Sequence, residues 1–314
     1  MLCIGFFIYG VISFFRTFSH TMKKLLFGVL VAAGLAQSLT AQPIERDSMF
    51  LGLYRKDITT YGTIAWSLAA VSLEFQWWWK DDYYYKQHEF RIWSDGYFYN
   101  HSYGVDKLGH AYASYLIFHL TYDVMKWANF DEESAIWSAV AVPATHAIAI
   151  ELGDGFSKWA FNFPDLAFNS GGLIYGLLQV KYPYLNNFNY KWSYYPSATG
   201  GKKDPDWGPA SDYSGHIYWL SMDVHNLLPE PAQHYWPKYL NLAVGLGARN
   251  VSYADVGIKK HKVAIALDWN TNAILPDGDT WLVFKNLINK IRFPAPGLKI
   301  FSGEAVEAKA LLLN

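Results

Sequence analysis

The first half of the chain is dominated by long stretches in which apolar residues recur at helical spacing. This pattern predicts four apolar helices, over residues 60–76, 105–128, 132–152 and 165–180. Asp131 with Ser134 is typical of a helix N-cap before the third of them. The helices and their connections predict an apolar helical domain over residues 55–182.

Charge along these helices bears on whether they cross a membrane. Residues 134–150 contain no Asp, Glu, Lys or Arg, which makes a borderline membrane span. The second helix, however, contains His110, His119, Asp123 and Lys126. A charged group at the centre of a bilayer costs on the order of 2.5–3.5 kcal/mol on insertion scales. We therefore expect a compact bundle of buried helices that dips into one leaflet, with full spanning as the alternative.

The pattern changes in the second half of the chain. Residues 262–270 alternate, with Val263, Ile265 and Leu267 on one face, and residues 239–247 alternate likewise. Two alternating runs separated by a short segment predict an antiparallel pair. Shorter strands are predicted over residues 216–224 and 298–301.

The predicted fold class is α+β. The bundle of about four apolar helices is followed by a connector over residues 186–212, which is rich in Asn, Tyr, Ser, Gly and Lys. Residues 213–305 then form a small antiparallel β-rich part with one amphipathic helix, predicted over residues 279–292.

The N-terminal 41 residues read as a targeting segment. Lys23 and Lys24 precede an apolar run of about 11 residues, and small residues follow as far as Ala41, which is the layout of a secretory signal peptide. Cleavage after Ala41 is preferred, with Ser38 as the alternative. Residues 1–21 form a second apolar run, which is either an upstream extension before a true start at Met22 or an additional membrane segment. We expect an exported protein of the periplasm or the membrane-associated cell envelope.

Composition narrows the class of partner. Without residues 1–41 the formal net charge falls from −1 to −4, which does not favour a nucleic-acid partner. The single cysteine is Cys3, so residues 42–314 offer no disulfide, thiolate ligand or lipid-anchor cysteine. Aromatic residues make up 18% and charged residues 17% of the sequence, against roughly 25% charged in ordinary soluble domains. Because Trp and Tyr collect at membrane interfaces, we expect contact with a membrane or lipid surface.

Six polar residues stand in pairs at the ends of three predicted helices. Each pair shares a helix face because its members are three or four residues apart. If consecutive helices run antiparallel, all three pairs meet at one end of the bundle. The pairs are Asp106 with His110, Glu151 with Asp154, and Asp165 with Asn169.

Carboxylates, imidazole and amide groups in an apolar setting suggest two kinds of chemistry. One is a divalent metal site, for which Asp106, His110, Glu151 and Asp154 are the candidate ligands. The other is acid–base catalysis, since burial raises the pKa of a carboxyl group towards neutrality. A purely structural interpretation stays open, in which the Asp residues are helix caps and His110 is a satisfied core histidine.

The ordered combination of these motifs resembles the YfiM-like family of predicted periplasmic lipoproteins and is similar, more distantly, to the VanZ-like membrane proteins. The resemblance covers roughly residues 55–182, and Pro164 stands where a Ser commonly precedes the late Asp. It implies an envelope location and a polar cluster among apolar helices, with no assigned activity. The matching residues are Asp106, Lys107, His110, Glu151, Asp154, Gly155, Asp165, Leu166, Asn169 and Gly172.

Two functional hypotheses follow. The first is an envelope protein of unassigned activity whose helical domain buries a polar cluster and whose C-terminal part docks a lipid surface or a protein partner. The second is an enzyme, metal-assisted or not, that acts on a lipid or cell-wall precursor. In the second, Asp106, His110 and Glu151 are catalytic, and binding falls to Lys107, Asp154, Asp165 and Asn169.

Overall fold

The computed structural model describes residues 49–86, 88–197, 209–252 and 255–313. The predicted signal peptide and its upstream extension, residues 1–41, lie outside the described residues. So do residues 198–208 of the predicted connector.

The helical part follows a short hairpin of β1 (Met49–Phe50) and β2 (Leu53–Tyr54). Its four long helices are α1 (Arg55–Glu74), α2 (Val105–Trp127), α3 (Glu132–Gly155) and α4 (Phe163–Lys181). Two wide π-helical segments, Phe75–Trp79 and Asp82–Lys86, follow α1. Asp131 caps α3 as predicted, because its side chain accepts a hydrogen bond from the Ser134 backbone N–H at 2.8 Å.

Helices α2, α3 and α4 contact one another, and α1 contacts α2 and α3. The approach of α4 to α2 depends on Gly172, where a Cβ atom would lie 1.8 Å from the carbonyl oxygen of Ala111. By length and composition, α3 is the one helix among the described residues that could cross a membrane. A core helix of a soluble protein meets the same criteria.

The second part of the structure is an antiparallel sheet of six strands in sequential order. The strands are β3 (Phe188–Tyr194), β4 (His216–Met222), β5 (Leu240–Arg249), β6 (Lys260–Trp269), β7 (Ala295–Phe301) and β8 (Glu307–Leu312). Three helices lie between them: α5 (Val224–Leu227), α6 (Thr271–Ile274) and α7 (Asp279–Ile288).

The fold class of helices followed by an antiparallel sheet is confirmed, while a four-helix bundle stays a prediction. The predicted pairing of residues 239–247 with 262–270 is confirmed as β5 with β6. The sheet is larger than predicted, because β3 lies inside the predicted connector and β8 lies beyond residue 305. Strand β3 alternates aromatic with polar residues, and β8 has the Ala, Glu and Lys content of a helix, so neither shows an aliphatic alternation.

The sheet packs on the helices through β3 and β4. Tyr190 on β3 and Tyr218 on β4 face α2, where Tyr112 lies between them. The hydroxyl of Tyr190 donates a hydrogen bond to the Leu108 carbonyl at 2.9 Å. An aromatic interface therefore joins the sheet to the helix whose first turn carries the predicted Asp and His residues.

Candidate functional site

The ammonium group of Lys107 is the centre of the site. Its Nζ lies 2.7 Å from Asp95 Oδ1, 3.1 Å from Asp106 Oδ2 and 2.5 Å from Asp165 Oδ1, and the side chain is fully buried. Burial by itself would lower the pKa of Lys107, but the charges of Asp106 and Asp165 outweigh it and raise that pKa. The lysine is therefore a fixed cation shared by three carboxylates.

The loop before α2 fixes where the helix begins and so positions Asp106 and Lys107 in its first turn. Gly104 has a φ of +82°, and a Cβ atom there would lie 2.8 Å from the Phe98 side chain. The Asn100 side chain accepts hydrogen bonds from the backbone N–H groups of Ser102 and Gly104, at 3.1 and 3.0 Å. Ser102 Oγ in turn accepts from the Asp106 N–H at 3.2 Å. These bonds satisfy N–H groups that a helix start leaves without intrahelical partners.

Asp95 comes from the connection between α1 and α2, and the sequence did not single it out. Its carboxylate accepts hydrogen bonds from Asn162 Nδ2 at 2.6 Å and Asn100 Nδ2 at 2.9 Å, and His101 Nδ1 lies 3.3 Å away. Burial opposes ionisation, but the bonds from His101, Lys107 and Asn162 prevail and hold the pKa of Asp95 well below its usual range. Asp95 is therefore ionised at neutral pH.

His110 is held by a chain of polar groups across α2 and α4. Ser114 Oγ donates to Asn169 Oδ1 at 2.9 Å, and Asn169 Nδ2 lies 3.1 Å from His110 Nδ1. Because the amide donates to Nδ1, the network assigns the ring proton of a neutral His110 to Nε2. This nitrogen lies 3.8 Å from Asp106 Oδ1 and 3.7 Å from Asp165 Oδ1. The imidazole is thus oriented towards two carboxylates, with its side chain 17% exposed.

The two carboxylates beside His110 differ in their acidity. Burial raises the pKa of Asp165, and the nearby charge of Asp106 adds to that rise. Burial also opposes ionisation of Asp106, but His110 and Lys107 outweigh it and lower its pKa. The hydroxyl of Tyr213, which precedes β4, donates to Asp106 Oδ1 at 2.9 Å. The second half of the chain therefore contributes to the site, which the sequence did not predict.

Glu151 lies at the border of this network. Its side chain is fully buried, Oε2 accepts from the Asn162 backbone N–H at 2.9 Å, and Oε1 has no hydrogen-bond partner among the described residues. Burial raises the pKa of Glu151 to about 8. Asn162 also donates to Asp95, so it connects Glu151, which is neutral at pH 7, to the ionised part of the site.

Asp154 makes no hydrogen bond or ion pair with the other predicted residues in the described part of the chain. Its Oδ1 accepts a hydrogen bond from Trp79 Nε1 at 2.6 Å. Burial, with the negative charges of Asp106 and Asp165, raises the pKa of Asp154 to about 8. Asp154 is therefore mostly protonated at pH 7.

Two groups of carboxylate and imidazole donors have the spacing that a metal ion needs, with all donor atoms within 4.8 Å. One consists of Asp106, His110 and Asp165, and the other of Asp95, His101 and Asp106. Neither includes Glu151 or Asp154, which the sequence offered as ligands. The ammonium of Lys107 already contacts the three Asp residues, so a metal ion would have to compete with it.

Of the six residues of the helix-end argument, the structure brings Asp106, His110, Asp165 and Asn169 together around Lys107, which the resemblance had added; Glu151 lies at the border, and Asp154 makes no hydrogen bond to them. The structure adds Asp95, His101 and Tyr213. The local sequence carries no signal for these three, because they lie in segments without helical or strand periodicity. Only the path of the two connections past the helix ends places them there.

Comparison with known proteins agrees with the motif-based resemblance. Residues 94–181 match the model of a family described as "Predicted periplasmic lipoprotein (DUF2279)". The chain matches no curated protein and no solved structure. The more distant similarity to the VanZ-like proteins stays a prediction. The family description confirms the predicted location, in the periplasm or the membrane-associated envelope. Residues 94–181, which carry most of the site, are therefore similar to this family of predicted periplasmic lipoproteins.

Proposed function

We propose that the protein is an envelope enzyme in which His110 transfers protons during a reaction on a lipid or cell-wall precursor. The observation that supports this most directly is the orientation of the imidazole. Asn169 binds Nδ1, so Nε2 is aimed at Asp106 and Asp165 in a partly exposed position. A positioned histidine of this kind contributes about 10²–10⁴-fold to a rate.

The neighbouring acids support the same role. A site built for proton transfer separates the acidities of adjacent groups. Asp106 has a lowered pKa and Asp165 a raised one, so they favour different protonation states around one imidazole. The positive charge of Lys107 offsets the repulsion between Asp106 and Asp165 and so stabilises the folded site. Glu151 supplies a neutral carboxyl group nearby. We assign His110 and Asp106 as catalytic, Glu151 as a proton donor, and Asp165 and Asn169 as positioning groups.

The test is turnover by the purified protein on glycerophospholipids and polyprenyl-phosphate-linked precursors, followed by mass spectrometry. His110→Gln is expected to lower the rate at least 100-fold. His119→Gln is the matched control. His119 lies on the same helix but outside the site, where its Nε2 is 2.8 Å from Gln179 Oε1. Turnover that persists in His110→Gln, or no turnover of either class by the wild-type protein, would count against the proposal.

A divalent cation is a second candidate, favoured by the two donor groups that share Asp106. In this variant of the proposal the cation would bind carboxylate and imidazole donors and polarise a substrate oxygen. Calorimetric titration with Mg²⁺, Mn²⁺, Ca²⁺ and Zn²⁺ tests it. Binding that is lost in Asp106→Asn supports a site there, and no binding of any of the four ions excludes it.

We also propose that residues 1–41 are removed as a signal peptide. The family description of a periplasmic lipoprotein supports export, and the layout around Lys23, Lys24 and Ala41 supports the site of cleavage. The N-terminal residue of the protein isolated from the envelope is expected to be Gln42. A mature protein that retains residues 22–41 would refute this assignment.

A further inference from the structure

The inner face of the six-stranded sheet combines charged and polar side chains with buried apolar residues such as Ile217, Trp219 and Ala266. It contains a fully buried ion pair, in which Lys191 Nζ lies 2.7 Å from Asp268 Oδ2. Ser221 Oγ donates to the same Asp268 oxygen at 2.7 Å. Arg292 stacks on Trp219, with its guanidinium carbon 4.1 Å from the ring centroid. Charged side chains are almost never fully buried unless they are paired, as these are.

The outer face of β4 to β7 is aliphatic instead. The strand register aligns Leu220, Val244, Ile265 and Leu298 in one row across four strands, with exposed fractions of 37–50%. Leu246, Val263 and Ile300 form the next row, and Leu242 pairs with Leu267 on the other side. At Tyr190 on β3 and Tyr218 on β4 the same face is covered by α2. We call the uncovered rows the aliphatic band.

One end of the band carries aromatic and cationic groups. The next outward-facing position on β6 is His261, whose ring lies 5.4 Å from that of Tyr99, a residue that is 86% exposed. Arg249, Lys259 and Lys260 lie at the same end of β5 and β6 and outnumber Glu304, the carboxylate that Arg249 and Lys260 contact. Aromatic and cationic residues beside an apolar surface are typical of the level of lipid head groups.

We infer that the aliphatic band inserts into the hydrocarbon of one membrane leaflet, with the His261 end at the level of the phosphate groups. The strand register and the buried Lys191–Asp268 pair fix which face is outward, because moving the register by one residue would exchange the two faces. From Leu242 to Leu246 the band extends about 14 Å at about 3.4 Å per residue. That matches one leaflet, which is about half of a hydrocarbon core of about 30 Å.

The same orientation places the candidate site at the membrane surface. Lys259 Nζ donates to the His101 carbonyl at 2.7 Å, and the Phe98 carbonyl lies 3.1 Å from His261 Nε2. His101 in turn lies 3.3 Å from Asp95. The cationic end of the band is therefore continuous with the edge of the site. Resting on the proposed function, this assigns the head group of a membrane lipid as the substrate class.

Vesicle flotation of the exported protein, from which residues 1–41 have been removed, tests the membrane contact. The vesicles contain phosphatidylethanolamine and phosphatidylglycerol, with pure phosphatidylcholine as a comparison. Ile265→Lys is expected to lower binding at least tenfold. Val306→Lys is the control, because Val306 is 58% exposed but lies in the turn between β7 and β8, beyond the band. Equal loss of binding in both variants, or no loss in Ile265→Lys, would overturn the inference.

An environment-sensitive fluorophore attached to a single cysteine shows whether lipid or another protein chain covers the band. In the exported protein without residues 1–41, which has no other cysteine, a label at Ile265→Cys should shift to shorter wavelength only when vesicles are added, and a label at Val306→Cys should shift much less. A second copy of the chain would produce a different result: the label would shift without vesicles, and light scattering would show a dimer that Ile265→Lys dissociates. That result would refute the lipid contact. Membrane contact and proton transfer fail separately, because Ile265→Lys leaves His110 and its partners unchanged.

Discussion

Replacement of Lys107 by Met is the most direct test of how the site is held together. The substitution keeps most of the side-chain volume and removes the ammonium that lies within 3.1 Å of three carboxylates. Breaking a buried ionic network by removing one partner costs about 3–5 kcal/mol. At about 2–4 °C per kcal/mol for a chain of this size, the Tm should fall by about 6–20 °C at pH 7.5.

The loss should depend on pH, and its sign follows from the carboxylates. In the wild-type protein the pKa values of Asp95 and Asp106 are lowered, so their contribution to stability is present above the unfolded value near 3.8 and is lost as the pH falls. Without Lys107, burial and mutual repulsion raise the folded pKa values of the three carboxyl groups. The variant then loses stability as the pH rises above the unfolded values, and the gap to wild type is expected to widen from pH 5 to pH 7.5.

Thermal unfolding in mild detergent, followed by circular dichroism at both pH values, measures this gap. Lys107→Met/Asp165→Asn is the matched control, because removing one carboxylate should restore part of the stability at pH 7.5. A loss of the same size at pH 5 and pH 7.5 would refute the electrostatic explanation. If a divalent ion can replace the ammonium, an ion concentration of 100 times its Kd should stabilise the variant by about 2.7 kcal/mol.

Two further predictions concern stability. Because the pKa of Asp154 is raised to about 8, the folded state retains a proton that the unfolded chain releases near pH 4, so the contribution of Asp154 to stability falls as the pH rises between these values. Asp154→Asn, which can still accept from Trp79, should therefore gain in Tm over wild type by about 6–16 °C more at pH 8 than at pH 5, and an equal difference at both would contradict the assignment. Gly172→Ala should cost about 1–3 kcal/mol because its Cβ meets the Ala111 carbonyl. Gly171→Ala, which faces open space, should be neutral or stabilising, and similar Tm values for the two glycine variants would argue against close packing of α2 on α4.

The sequence by itself determined the helical half and much of its polar cluster. Helical spacing fixes which side of α2 carries both Asp106 and His110, and antiparallel packing of consecutive helices requires the paired residues of α2 and α4 to meet. The strands β5 and β6 were equally predictable from the local sequence, because alternation over ten residues does not fit the period of a helix. These features depend on the period of the backbone, which the sequence states directly.

Only the tertiary structure decided which groups pair with which charges in the polar cluster. It also decided which face of the sheet is buried. Lys107 became the centre because Asp95 and Asp165 reach it from segments 12 residues before and 58 residues after it. The pairing of β3 and β8 with their neighbours encloses Lys191 and Asp268 on one face, which turns Val244 and Ile265 outward. Alternation defines two faces but not which one is buried, because that depends on the groups that the rest of the chain places against each face.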